Sequence, residues 1–294
     1  MILRERIQSG RPLLADGALG SLLMERGLKP GESPESFNLK RPEVLVEIVQ
    51  QYVEAGAEIV QANSFGANRF RLVPHGLADK VAEVNRAAVE IARAAAAGRA
   101  MVWASIGPTG RMLRPAGDAE PDEIAEAFGE QARALVQAGP DIIAVETMTD
   151  LAEALLAVRA VREASADIVL VATLTFELKK RGFFTVMGNS IADAAVQLVA
   201  AGADVVGSNC GNGIDNMVRI AREFRDATGM PLAFRPNAGM PQLVDGDVRY
   251  PETPEFMAAH LPELLETKPA IVGGCCGTKP YHIRAFRQVI ATMD

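Results

Sequence analysis

Cysteine and histidine are scarce: 294 residues contain three of each. An odd cysteine count, with two of the three adjacent at 275 and 276, makes a poor disulfide framework, because neighbouring residues reach bridge geometry only under strain. Reduced thiols are the reading. Long apolar runs are missing too. No stretch of about 18 apolar residues occurs, and MILRERIQSGRPLLADG has no apolar core of the kind a secretory signal needs. A cytoplasmic protein with no membrane partner is expected. Basic clusters are confined to ELKKRG at 177–182, in a chain of net charge −7. That leaves nucleic acid without an electrostatic footprint and favours a small partner. A GxGxxG after the first strand is absent, which counts against an open dinucleotide-binding sheet.

What is abundant is apolar sequence, 49% of the chain, and it comes in a rhythm. Eight short runs read as strands: PLLADG (12–17), AEIVQANSF (57–65), AMVWASIGP (100–108), DIIAVETM (141–148), DIVLVATLTF (167–176), ADVVGSNC (203–210), MPLAFRPNAG (230–239) and PAIVGGCCG (269–277). Amphipathic stretches such as 42–56, 121–139 and 190–202 lie between them, with apolar residues at i, i+3, i+4 and i+7. Several end in an Ala-Gly step, a helix-closing signal. Strands apolar on both faces and joined by helices imply a parallel sheet covered by helices. Eight such units imply an α/β fold, a single eight-stranded parallel β/α (TIM) barrel, taken as one domain over 1–294.

The loops after the strands of such a barrel share one rim. Asp16, Ser64, Glu146, Cys210, Asn237 and the Cys275–Cys276 pair all fall at strand ends, so all three cysteines converge there. A lone strand cysteine is an inert small hydrophobe; three together are the donor set of a zinc site with one open position. His75, His260 and His282 lie in or beside helical segments and do not complete a fourth ligand. The glycines of GGCCG free the backbone for the sharp bend that two adjacent ligands require. A lysine Schiff-base lyase or aldolase has less support, since none of these strand ends carries lysine. A binding module without turnover of its own stays open.

LLADGALGSLL (13–23), QANSFGANRFRL (61–72), ETMTDLAEA (146–154), GSNCGNG (207–213), RPNAGMP (235–241) and VGGCCGT (272–278) together resemble the successive motifs of the homocysteine S-methyltransferase family. That family includes betaine:homocysteine and S-methylmethionine:homocysteine methyltransferases and the homocysteine-binding module of cobalamin-dependent methionine synthase. The resemblance runs from about residue 10 to 290, and it is the ordered set, more than any one motif, that carries it.

It implies a cytoplasmic enzyme of methionine biosynthesis, with one Zn²⁺ held by Cys210, Cys275 and Cys276 and the homocysteine sulfur in the fourth position. It implies Glu146 as acceptor for the substrate ammonium, against a plain helix-start carboxylate. It implies Asp16 and Gly17 as a turn approaching the substrate, against an ordinary Asp-Gly turn. Ser64 stands where the family often has threonine. Asn237 resembles an asparagine that in some members approaches the metal when substrate is absent, against a loop-closing side chain. With three tyrosines and one tryptophan in the chain, an aromatic cage for betaine is undersupplied. The donor is therefore S-methylmethionine or a methyl group on a separate corrinoid protein; a related thiol acceptor is the further alternative. Met101, Met112 and Met148 read as core or rim packing.

Overall fold

A computed structural model describes residues 3–244 and 247–292. Eight parallel strands form one sheet: β1 (Leu13–Leu14), β2 (Ile59–Ala62), β3 (Met101–Ile106), β4 (Ile142–Met148), β5 (Val169–Leu174), β6 (Val205–Asn209), β7 (Leu232–Arg235) and β8 (Ile271–Val272). Their spatial order, β1-β8-β7-β6-β5-β4-β3-β2, is the chain order run round a ring. Between its two ends, Ala15 bridges Ile59 in parallel, the Asp16 N–H donates to the Ile59 carbonyl at 2.9 Å and the Glu58 N–H to the Leu14 carbonyl at 2.7 Å. The expected eight-stranded β/α barrel is thus the observed fold.

Eight helices wrap the ring: α1 (Pro42–Glu54), α2 (Val81–Ala96), α3 (Pro121–Ala138), α4 (Leu151–Ala164), α5 (Ile191–Ala200), α6 (Ile214–Ala227), α7 (Pro254–Leu265) and α8 (Pro280–Ala291). The closing segment KPYHIRAFRQVIATMD (279–294) reads as a final helix and forms α8; residues 293 and 294 lie outside the described residues. Each helix buries an apolar stripe against the strands, as α1 does with Val44, Leu45, Ile48, Val49 and Tyr52. A fully buried aliphatic or aromatic side chain contributes about 1.5–3 kcal/mol. The Ala-Gly steps close helices as expected, with Gly56, Gly139 and Gly202 in the left-handed conformation at φ 98°, 71° and 110°.

Inside the ring, strand alternation sends every second side chain to the axis. Leu13, Ala15, Ile59, Trp103, Ile142, Ala144, Val169, Val171, Val205, Ala233 and Ile271 form an apolar plug. The next inward position is polar on five of these strands, at Gln61, Ser105, Glu146, Thr173 and Arg235, and on β6 Gly207 intervenes before Asn209. The plug is the floor of a polar layer facing the rim where the strands end.

Two segments form strands that the sequence does not announce. The charges of ELKKRG read as a solvated loop after the fifth strand; instead Glu177–Lys179 pairs antiparallel with Gly182–Phe184 in a hairpin after β5. A second hairpin, Gln242–Val244 with Asp247–Arg249, follows β7. The end strands are short, two residues each, because past Val272 the chain bonds to loops: the Gly274 N–H donates to the Asp16 carbonyl at 2.9 Å and the Cys275 N–H to the Pro236 carbonyl at 2.8 Å.

Candidate metal centre and polar layer

Cys210 directly follows β6, with a left-handed backbone at φ 61°. Its N–H donates to the Arg235 carbonyl at 3.1 Å, so it sits against the end of β7. Cys275 and Cys276 open a tight turn closed by the Thr278 N–H on the Cys275 carbonyl at 3.1 Å and by the Thr278 hydroxyl on the same oxygen at 2.7 Å. The turn needs φ 79° at Gly277, and a Cβ there would lie 2.1 Å from the Tyr250 ring. Glycine is the residue both demands allow. The Cys276 carbonyl accepts from the Ala238 N–H at 2.9 Å, which fastens the turn to the β7 loop.

These constraints bring the three sulfurs within 4.8 Å of one another, and among the described residues they are the one group of metal-ligating side chains. The Cys210 and Cys276 sulfurs are 3.7 Å apart. Tetrahedral zinc with bonds of about 2.3 Å places its sulfurs about 3.8 Å apart, so the donor set fits such an ion. On their own, three crowded thiols do not ionise independently. Hydrogen bonding to Cys275 and Cys276 pushes the Cys210 thiol far up, while hydrogen bonds from Cys210 and Cys275 draw Cys276 down to about 3. Tyr250, whose ring lies against Gly277, also helps to hold Cys276 down. His75, His260 and His282 stay outside the cluster; His282 Nδ1 accepts the Lys279 N–H at 3.0 Å at the start of α8.

Beside the sulfurs lies a buried charge network. Arg235 is 2% exposed, Asp16 and Glu146 3% each. Arg235 donates to Asp16 Oδ1 at 3.0 Å, to Glu146 Oε2 at 3.2 Å and to the Gly274 carbonyl at 3.0 Å, and it lies over the Trp103 ring with Cζ 5.3 Å from the centroid. Asp16 also accepts from the Gln61 N–H at 2.7 Å and from Gln61 Nε2 at 2.9 Å. Burial pushes Asp16 up to about 6, with Arg235 pulling the other way. Glu146 is raised for the same reason. With both acids ionised, two carboxylates face one guanidinium, and the layer carries one uncompensated negative charge.

The remaining candidates have distinct roles in this geometry. Glu146 lies within β4, two residues before its end, at an irregularity where the register with β5 slips between Val145 and Met148. Gly17 lies under Tyr52 and Thr278, and its carbonyl accepts from Gln61 Nε2 at 3.0 Å. Ser64 is fully buried; its hydroxyl donates to the Ser105 carbonyl at 2.8 Å and accepts the Ser105 N–H at 2.9 Å, which gives it a strand-joining task. Asn237 ties its N–H to the Asn212 carbonyl at 2.9 Å, but its side-chain Oδ1 is buried without a hydrogen-bond partner in the loop that holds the cysteine turn. Arg235, Asn209 and Gln61 are the functional-layer residues missed by the sequence reading. Arg235 and Gln61 carry a signal, since each stands two positions beyond an inward apolar residue of its strand, whereas Gly207 separates Asn209 from Val205.

A separate cleft of about 520 Å³ opens at the far end of the barrel, lined by Arg4, Ile7, Met230 and Lys268 among others. Among the described residues no cluster of metal-ligating side chains falls there. Among the described residues no helix is long and apolar enough to cross a membrane.

Comparison with known proteins gives this geometry a context. The profile described as Homocysteine S-methyltransferase matches residues 13–290. Methionine synthase of Mycobacterium leprae is 32% identical over 300 residues, covering 96% of this chain and 24% of that protein. Methionine synthase of Mycobacterium tuberculosis is 32% identical over 306 residues, covering 98% of this chain and 25% of that protein. The chain thus spans about a quarter of the length of these curated relatives. In fold, the crystal structure of the metallated form of the homocysteine methyltransferase MmuM from Escherichia coli superposes with a TM-score of 0.78 at 24% identity, covering 98% of this chain and 99% of that one.

Proposed function

Because the chain belongs to the homocysteine S-methyltransferase family, we propose that it methylates the sulfur of homocysteine to give methionine, with Cys210, Cys275 and Cys276 holding one zinc ion per chain. A bound zinc ion lowers the pKa of a coordinated thiol and so presents the substrate sulfur as a thiolate at neutral pH. The chain's own residues supply binding and orientation. Cys210, Cys275 and Cys276 would hold the ion with three thiolates and leave a place for the substrate sulfur. Glu146 and Asp16, one negative charge in excess of Arg235, receive the substrate ammonium in a desolvated layer where a charge-assisted hydrogen bond is strong. The turn at Gly17 is left for the substrate carboxylate, since the Asp16 and Ala18 N–H groups are already bonded to Ile59 and Thr278. The new bond joins sulfur to the methyl carbon. The bond from carbon to the donor breaks with its electron pair left on the donor, and the thiol proton goes to solvent as the sulfur binds.

The convergence of the three sulfurs beside a buried pair of carboxyl groups that share one arginine carries this reading. Glu146→Gln keeps the shape and removes the charge. A charge-assisted bond of about 1.5–3 kcal/mol corresponds to a loss of homocysteine affinity of about ten- to a hundredfold, at unchanged zinc content. Unchanged affinity would reduce Glu146 to a structural acid, and loss of zinc would make it a ligand. Cys210→Ser should lose zinc and methyl transfer together.

A second reading of the donor is a methyl group brought by a separate corrinoid protein, in keeping with the 32% identity to methionine synthases. Purified protein with zinc, homocysteine and S-methylmethionine either releases methionine alone or needs the added corrinoid protein.

A further inference from the structure

Asn209 ends β6 and is 1% exposed. Its Oδ1 accepts from the Thr147 N–H at 2.8 Å and from the Thr173 hydroxyl at 2.8 Å. Its Nδ2 donates to the Thr147 hydroxyl at 2.7 Å and to the Cys275 sulfur at 3.8 Å. One amide therefore touches both a cysteine of the metal centre and the residue next to Glu146.

Thr147 itself is unusual, with a backbone in the left-handed region at φ 60°. A β-branched residue takes that conformation only where its surroundings impose it. Asn209 grips both polar groups by which it can be held, the N–H and the hydroxyl. The turn coincides with the slip in register between Val145 and Met148, and such irregularities re-aim the side chains beside them. Here the adjacent side chain is Glu146, directed at Arg235.

We propose that Asn209 is a positioning residue that couples the two ends of the acceptor site. By clamping Thr147 it fixes the aim of Glu146 at the amino-acid end, and by donating to Cys275 it withdraws charge from one sulfur at the thiol end. The first half rests on the homocysteine reading above; the second does not. Partners of metal ligands tune the metal in this way generally, and an acid two residues from a strand end cannot hold its aim if the following turn relaxes.

The test uses the protein loaded with Co²⁺ in place of Zn²⁺, whose thiolate charge-transfer bands report on sulfur donation, together with metal analysis and homocysteine titration. Asn209→Ala should keep one metal per chain, shift the bands to lower energy because Cys275 has lost a hydrogen bond, and weaken homocysteine binding tenfold or more. Thr147→Gly supplies a residue that adopts the left-handed turn unaided. In the Thr147→Gly background Asn209→Ala should therefore change homocysteine affinity less than threefold, while the band shift persists. A purely structural role for Asn209 would give the same loss in both backgrounds, and that result overturns the proposal, as does wild-type affinity in Asn209→Ala. Asn209→Gln keeps the amide but moves it by one methylene; it should show the tenfold loss too, and wild-type affinity there overturns the proposal even if Asn209→Ala does not fold. Wild-type protein that binds Co²⁺ but no homocysteine would refute the homocysteine reading and the coupling with it, whereas unchanged binding in the variants beside a competent wild type refutes the coupling alone.

Discussion

Replacing Arg235 by methionine keeps much of the side chain's volume and removes the cation between Asp16 and Glu146. Both ion pairs are dry, with side-chain exposures of 3% for the arginine and 4% for each acid. Removing one partner of a buried pair costs about 3–5 kcal/mol, and here two acids lose the same counter-ion. The upper end of that range is expected at pH 8. At lower pH the cost should shrink. Burial already raises Asp16 to about 6 and raises Glu146, with the attraction of Arg235 opposing the rise in both. Without it both move higher. Acids whose folded pKa lies above the unfolded value make the native state the better proton binder, so stability falls as pH rises. Urea unfolding of wild type and variant at pH 5 and pH 8, at equal metal content, gives the two differences by linear extrapolation. Equal destabilisation at both pH values would refute the account. So would the triple variant with Asp16→Asn and Glu146→Gln if it were no more stable at pH 8 than Arg235→Met alone, because neutral partners leave no unpaired charge to bury.

Gly17→Ala places a methyl group 2.6 Å from the Thr278 hydroxyl and 2.8 Å from the Tyr52 hydroxyl, both already bonded to carbonyls. Overpacking of about 1–3 kcal/mol should lower the melting temperature and, through Thr278, loosen the Cys275 turn; an unchanged melting temperature would show that the space is there. Burial works to raise Asp204, but hydrogen bonds from Arg4, the Leu170 N–H and Arg162 outweigh it and hold the carboxyl below its usual range. A depressed acid stabilises above its unfolded pKa of about 3.9 and loses that contribution as pH falls through the folded value. The advantage of wild type over Asp204→Asn should therefore be level from about pH 5 upward and fade below about pH 4 in denaturant titrations; a gap that widens in acid would reverse the assignment.

The barrel was legible because its signals are local. Eight β-branched runs and the glycines at 56, 139 and 202 announce strand and helix ends without knowledge of what packs against them. The cysteines were legible because so few thiols at strand ends leave little else to consider. Arg235 was harder. Arginine in a strand ordinarily reads as an exposed position, and its burial makes sense only once Asp16 and Glu146, far apart in the chain, are seen on either side of it. Ser64 shows the converse: a hydroxyl at a rim position looks like a ligand group until the Ser105 backbone is found to occupy it. Thr147 gave no hint at all, since nothing in its identity forecasts a left-handed backbone, and the asparagine that enforces it comes from another strand. The two hairpins went unread because their residues are mostly solvated and carry little periodicity.

The closure of the ring between β1 and β2 and the lodging of the cysteine turn against β1 set an order of assembly. The Ala18 N–H bonds to the Thr278 hydroxyl across 260 positions of sequence, and Gly274 is anchored on Asp16. Cys210 alone offers a metal one sulfur; the other two come from the eighth strand unit. A growing chain therefore has no complete thiolate set until the last β/α unit docks. A metal held by the three sulfurs would tie the sixth unit to the eighth, and its chelation should then loosen the cysteine turn from β1 before it loosens the sheet opposite.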